Sequence, residues 1–273
     1  MTEWKGQSRG TVLGFKIYVF IIKTFGLYVA YFVLLFVAAY FIVFSFESTK
    51  STYYLFRRRL KYSATSSMFQ VYISYFTFGR IQLDRIAIGA GLKNKYSFDF
   101  DGAHHIQELL SKKKGGILLT AHIGNFNLAK YFFNEKHNTA AVNLVMTDFE
   151  HREIKHYLES VSERSKLKMI ILKDDLSHIF KMNEALKKNE FLVFAADRYF
   201  KSSKTYKEIF LGKTVKFPQG PFKLASRNKI PVLFVHIMRE RKFHYHFYAR
   251  PYSGAPDSAK ELLKAYLHDL EKM

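Results

Sequence analysis

Cysteine is absent from the 273 residues. That excludes disulfide staples, thiolate nucleophiles and cysteine-based zinc sites in one step, and it is compatible with the cytoplasm. Acidic residues are scarce: 23 Asp+Glu stand against 43 Lys+Arg, a formal net charge of +20. A field of that sign attracts something acidic, whether nucleic acid, anionic lipid or an acidic protein; with no such partner it only keeps the chain in solution. The one G-x-S-x-G run, Gly6 to Gly10, lies ahead of the apolar segment and follows no strand-like run, which argues against a hydrolase built on a nucleophile elbow. Gly212-Lys213-Thr214 looks like the tail of a phosphate-binding loop, but the position that must be its first glycine is Lys207. Internal repeats and low-complexity linkers are missing too. What is present is apolar: hydrophobic residues make up 48%, which excludes disorder. The length suffices for one large α/β domain and a membrane-associated segment.

Charge is missing altogether from residues 24–46, TFGLYVAYFVLLFVAAYFIVFSF. About 20 residues of helix cross the hydrocarbon core of a bilayer, so this stretch is long enough to span one. Its tyrosines, Tyr28, Tyr31 and Tyr40, suit a helix lying partly in one leaflet equally well, and a buried helix of a soluble domain is the rival reading. Lys16, Lys23, Lys50, Lys61 and the run Arg57-Arg58-Arg59 flank it. Near an anionic membrane surface each such charge contributes roughly 1 kcal/mol. Because they lie on both sides, they give no orientation. A cleavable signal peptide fits poorly, since the apolar run is too long and is followed by bulky, basic sequence. Residues 1–50 are therefore expected to form a membrane-associated helical segment and residues 51–273 an α/β domain.

Residues 52–88 read as helical, with Phe69, Tyr72, Tyr75, Phe76, Phe78 and Ile81 on an apolar face that packs on the domain or lines a groove for a fatty chain. A short strand is expected before residue 101 and a short helix over 106–113. Strands then alternate with helices. The strands fall at 117–121, 141–146, 168–172, 191–196, 231–237 and 243–249. Helices are expected from residue 125 to about 134 and over 149–165, 176–188, 221–227 and 258–271, with 212–220 as a loop. This alternation predicts a mostly parallel sheet flanked by helices.

The stretch 115–130, GGILLTAHIGNFNLAK, organises the rest. An apolar run stops abruptly at His122, and a small polar turn, Gly124-Asn125, leads into a helix start. A buried parallel strand delivers a side chain to the carboxyl edge of a sheet in this way, where open α/β folds place their chemistry. Unpaired backbone N–H groups at the helix start would lie close to the imidazole. Histidine in such a place can take a proton from a hydroxyl. Asp197 and Arg198 end a later strand and would share that edge. Arg198 suits a phosphate or carboxylate; Asp197 either orients Arg198 or partners the histidine, with Asp148 and Asp101 as weaker contenders. His244 and His246 sit on one face of a strand at a spacing that tolerates metal, but no third ligand is in sight.

His122 followed by Gly124, Asn125 and Phe126 resembles the motif of the late lipid A acyltransferases, the lauroyl/myristoyl-type members of the lysophospholipid acyltransferase superfamily. The likeness continues at Asp197, at Phe217-Pro218-Gln219-Gly220, and at Leu224-Ala225 before Pro231. It implies O-acyl transfer from an acyl thioester on acyl carrier protein to a lipid hydroxyl, at the cytoplasmic face of the inner membrane and without a cofactor. The acceptor would be a lipid A precursor or an acylated amino-acid lipid. His122 would be the general base, and Gly124, Asn125, Asp197, Arg198, Lys216 and Gly220 would shape or contact substrate. Asn127 stands where the family carries a carboxylate, and can orient the imidazole but not balance its charge. Either another carboxylate stands in, or the step is slow, or the chain is an inactive form. The chain also stops within its last helix, earlier than the resemblance implies, and reads as shortened. Two rivals remain: a relative that binds lipid or carrier protein without catalysis, and a nucleic-acid-binding protein. The second is disfavoured because the aromatics crowd the apolar amino-terminal third, where no groove is evident.

Overall fold

The computed structural model describes residues 12–128, 141–146, 168–172, 175–199, 203–254 and 258–273. These fall into two compact units, one of residues 12–95 and one of the described residues from 96 onward.

The first unit is helical: α1 (Val12–Thr24), α2 (Leu27–Phe44), α3 (Phe46–Tyr54) and α4 (Ala64–Gly89), with a π-helical turn at Leu55–Arg59. The continuous helix expected over 52–88 is interrupted. After the π turn, which holds three adjacent arginines, Lys61 turns left-handed at φ 63°. Ser63 then starts α4 afresh, its Oγ accepting the Ser66 N–H at 3.2 Å. One stripe of α2, Leu27, Ala30, Leu34 and Ala38, is buried at helical spacing. Leu34 packs on Gly79 of α4, where a Cβ would lie 2.4 Å from a Leu34 methyl. Tyr31 of α2 donates to the buried Asp84 of α4, so the one carboxylate drawn into this packing has a partner. The other stripe of α2, including Tyr28, Phe32, Phe36, Tyr40 and Phe44, is exposed. Among the described residues α2 is the one helix long and apolar enough to cross a membrane, at 18 residues and mean hydropathy 2.5.

The second unit is built on a seven-stranded sheet. Its strands are β1 (Ser97–Asp101), β2 (Gly116–Thr120), β3 (Val142–Met146), β4 (Lys168–Ile171), β5 (Phe191–Ala195), β8 (Val232–Arg241) and β9 (His244–Pro251), in the order β1-β9-β8-β2-β5-β3-β4. From β8 to β4 all neighbours are parallel; β9 returns antiparallel to β8, and β1 lies parallel to β9. The expected α/β architecture with a mostly parallel sheet is therefore what forms. β2 is buried along its whole length and β5 nearly so, which is why both read as unbroken apolar runs rather than alternating ones. Helices α5 (Ala103–Ser111), α6 (Ser177–Lys187), α7 (Gly220–Arg227) and α8 (Ala259–Glu271) accompany the sheet. On one side, Leu262, Leu263 and Tyr266 of α8 join Phe222 of α7 and Phe234 of β8 in the core.

Residues 212–220, expected as a loop, are instead half of a hairpin and the start of a helix. Strands β6 (Thr205–Phe210) and β7 (Lys213–Pro218) pair antiparallel around Leu211-Gly212. Tyr206, Phe210, Val215 and Phe217 pack on the core from one face, while lysines interleave on the other. The helix expected over 149–165, and the one expected from 125 beyond residue 128, lie outside the described residues.

α8 is fastened to the sheet by a buried ion cluster. Asp269 accepts from His236 Nε2 at 2.8 Å and from Arg250 Nη1 at 2.9 Å. Burial alone would raise the Asp269 pKa, but the hydrogen bonds and charges of His236 and Arg250 hold it below the usual carboxylate range. A carboxyl whose pKa is depressed on folding contributes stability above its unfolded pKa and loses it as pH falls through the folded value. Asp269→Asn is therefore expected to cost about 2 kcal/mol near neutral pH, since Arg250 is partly exposed and screened. Thermal unfolding of this variant followed below about pH 4.5 should also show a shallower loss of stability with acid than the unsubstituted protein.

Candidate active site

β2 and β5 run side by side with Thr120 opposite Ala195, so two residues further along each strand His122 and Asp197 stand beside one another at the carboxyl edge. His122 Nδ1 lies 2.8 Å from Asp197 Oδ1, with both side chains about three-quarters buried. The backbone N–H of His122 reaches the same carboxylate. Burial pushes the Asp197 pKa up, but the hydrogen bonds and charge of His122, helped by Arg198, bring it below the usual carboxylate range. An ionised carboxylate only accepts, so Nδ1 carries the proton donated to it and the imidazole lone pair sits on Nε2. Arg198 holds its Nε 3.9 Å from the other oxygen of Asp197.

The two strand ends are tied to one acceptor. The carbonyl of Thr120 takes the Ala196 N–H at 2.9 Å and the Tyr266 hydroxyl of α8 at 2.8 Å. Beyond His122 the chain turns at Gly124, with φ 59°. A Cβ there would lie 2.1 Å from the Ile237 carbonyl oxygen, which accepts the next N–H, that of Asn125, at 2.7 Å. Glycine is thus required by the approach of the turn to β8. Asn125 is buried, and its amide donates to Tyr245 of β9 at 3.3 Å. The expectation of a helix start aiming unpaired N–H groups at the imidazole does not hold for Asn125, whose N–H is taken by Ile237. Residues Phe126–Leu128 form a 3-10 turn, and the Phe126 ring meets His122 edge-on at 5.4 Å. The side chain of Asn127 lies outside the described part of the structure.

The remaining candidates are dispersed. Lys216 is exposed on β7, opposite Lys207. Gly220 opens α7, exposed, and a Cβ on it would meet nothing within 4 Å. The registers carry Asp101 through Tyr248 and His236 to the level of Ala121, but β9 and β8 stand between β1 and β2, so Asp101 is set apart from His122 across the sheet. Asp148 lies outside the described residues. His246 Nδ1 pairs with Glu240 at 2.9 Å, and His244 Nδ1 with Ser97 Oγ at 2.7 Å. Among the described residues no group of three or more His, Cys, Asp or Glu is arranged to hold a metal ion.

The family model for bacterial lipid A biosynthesis acyltransferases matches residues 65–271, a span that holds His122, Asp197 and the whole described sheet. The chain belongs to that family. A search of curated proteins returns no match. Membership makes the protein an acyltransferase acting on a lipid. In this acyltransferase the ionised carboxylate in contact with the imidazole comes from 75 residues downstream. From sequence Asp197 was one contender among several for that contact, because nothing local reports which strand lies next to β2.

Proposed function

We propose that the protein is a membrane-associated O-acyltransferase that moves a fatty acyl group from the thioester of acyl carrier protein to a hydroxyl of a lipid. A lipid A precursor or an acylated amino-acid lipid would serve as acceptor. The observation that carries this reading is the 2.8 Å contact between His122 Nδ1 and Asp197. It leaves Nε2 as a base in the partly exposed end of the site. The acceptor hydroxyl gives its proton to Nε2 as its oxygen attacks the thioester carbonyl. A tetrahedral oxyanion forms, the carbon–sulfur bond breaks, and the leaving thiolate takes the proton back from the imidazolium. Asp197 balances the positive charge that appears on the ring during the transfer. Arg198, beside that carboxylate, suits a phosphate or carboxylate of the acceptor. Gly124 and Asn125 hold the turn in shape, and Lys216 and Gly220 belong to the surface that meets the donor or acceptor. Transfer from a thioester needs no cofactor. The exposed apolar stripe of α2 and the basic residues near it support attachment to a membrane, and a carrier-protein donor would put the catalytic unit at the cytoplasmic face of the inner membrane.

Asn127 favours a second reading, in which the protein is a catalytically impaired relative that binds lipid or carrier protein. The two readings separate in an assay of purified, detergent-solubilised protein with labelled acyl carrier protein and total lipid extract. If Asp197 is a sufficient partner, the unsubstituted protein turns over and Asn127→Glu alters its rate by less than about tenfold. Turnover confined to Asn127→Glu would establish the impaired relative.

A further inference from the structure

We propose that the outward face of the β6–β7 hairpin is the docking surface for the acidic protein that carries the acyl thioester. This rests on the reaction proposed above and assigns its donor a place on the molecule.

The hairpin is two-faced. Tyr206, Phe210, Val215 and Phe217 pack on the core. Lys207, Ile209, Thr214 and Lys216 form the exposed side, with Ile209 70% exposed. No carboxylate occurs among those outward positions, and Lys204 and Lys213 add exposed basic residues at the two ends of the hairpin. Lys207 and Lys216 are direct cross-strand partners. Like charges placed opposite one another destabilise a strand pair, so this arrangement works against the hairpin's own stability unless an anionic surface neutralises it. One exposed aliphatic side chain beside two lysines on the same face matches an interface with a small apolar centre and a polar, steering rim. A bilayer is the poorer fit. Ile209 is the only exposed large hydrophobic among the described residues of this segment, whereas α2 exposes a whole row.

The hairpin is also placed for delivery. Tyr266 of α8 bonds the Thr120 carbonyl at the carboxyl edge, and five residues later Glu271 accepts the Leu211 N–H of the hairpin turn at 2.9 Å. The hairpin turn therefore lies near the edge that carries His122. Thr205 follows Asp197 by eight residues, which limits their separation to at most about 28 Å. A carrier seated on the hairpin needs only a flexible thiol arm to bring its thioester to Nε2.

The test is direct binding of fluorescently labelled bacterial acyl carrier protein, charged with a dodecanoyl chain, to the full-length detergent-solubilised protein. Lys207→Glu and the double variant Lys207→Glu/Ile209→Glu are measured alongside, at low and raised salt. Lys207→Glu places a carboxylate opposite Lys216, so its melting temperature should be unchanged or higher, which separates lost docking from lost folding. The double variant is expected to weaken binding at least about tenfold and to remove most of its salt dependence. The ratio of kcat/KM for the protein-bound thioester to that for a small soluble acyl thioester should fall by a similar factor. Binding that is unchanged in the double variant overturns the proposal, as does failure of the unsubstituted protein to bind the carrier. So does a loss confined to binding of anionic phosphatidylglycerol vesicles, which would make the hairpin a bilayer contact. Carrier binding without turnover would instead refute the proposed reaction and leave the docking surface standing.

Discussion

Asp197→Asn should lower kcat/KM by about three to four orders of magnitude while leaving KM for the lipid acceptor and the melting temperature little changed. The substitution preserves the size of the side chain and can preserve a contact with His122 Nδ1. It removes the negative charge that the imidazolium needs when the acceptor proton arrives, and an amide can also donate to the ring and so favour the wrong tautomer. In a serine protease the equivalent acid-to-amide change costs about 10⁴ in rate. The effect here should approach that value because the contact is 2.8 Å, lies largely out of water and is joined by the backbone N–H of His122. Single-turnover rates with acyl carrier protein report the loss directly. A drop below about tenfold would mean that the charge comes from elsewhere, and Asn127→Ala measured in parallel shows how much that amide contributes.

Gly124→Ala should destabilise the protein by about 3 kcal/mol and remove most of its activity. The positive φ is not decisive by itself, since Lys113, Asn189 and Lys229 adopt similar angles in this chain. The added Cβ, however, would sit 2.1 Å from the Ile237 carbonyl oxygen and 2.9 Å from Met238 Sδ. Backbone cannot step aside as a flexible side chain can, so the turn must lift off β8 and break the Asn125–Ile237 hydrogen bond. Strain and a lost buried bond together give the stated cost. In a unit of this size that lowers the melting temperature by about 6–12 °C. Because His122 is two residues away, the displaced turn would carry the imidazole off Asp197. Gly220→Ala is the matched control: its Cβ meets nothing, it lies in the first turn of α7, and it should be neutral or slightly stabilising.

The parts of this molecule legible in sequence are those written in local pattern. β2 and β5 are bounded apolar runs, and His122 is the first polar residue after one of them. The family likeness at 122–126 and 217–220 needed only short-range spacing. What was not legible depends on neighbours distant in the chain. The pairing of His122 with Asp197 follows from the register of β2 on β5, and no residue near either one encodes that register. The hairpin is not legible because its inward aromatic and aliphatic residues alternate with lysines and threonines, a pattern that also describes a charged loop. The break before α4 lies in a left-handed Lys61, a residue type with no preference for that conformation. Asn125 reads as a cap or a substrate contact, and no local pattern reports that its amide also donates to Tyr245, 120 residues away.

In the proposed reaction His122 is the base for acyl transfer to a lipid hydroxyl. The most direct measurement compares the unsubstituted protein with His122→Ala, both purified in detergent and offered labelled acyl carrier protein with total lipid extract. Labelled lipid is expected from the first and a rate at least about 10³ lower from the second, with both proteins melting alike. Labelled lipid formed at comparable rates by His122→Ala would contradict it.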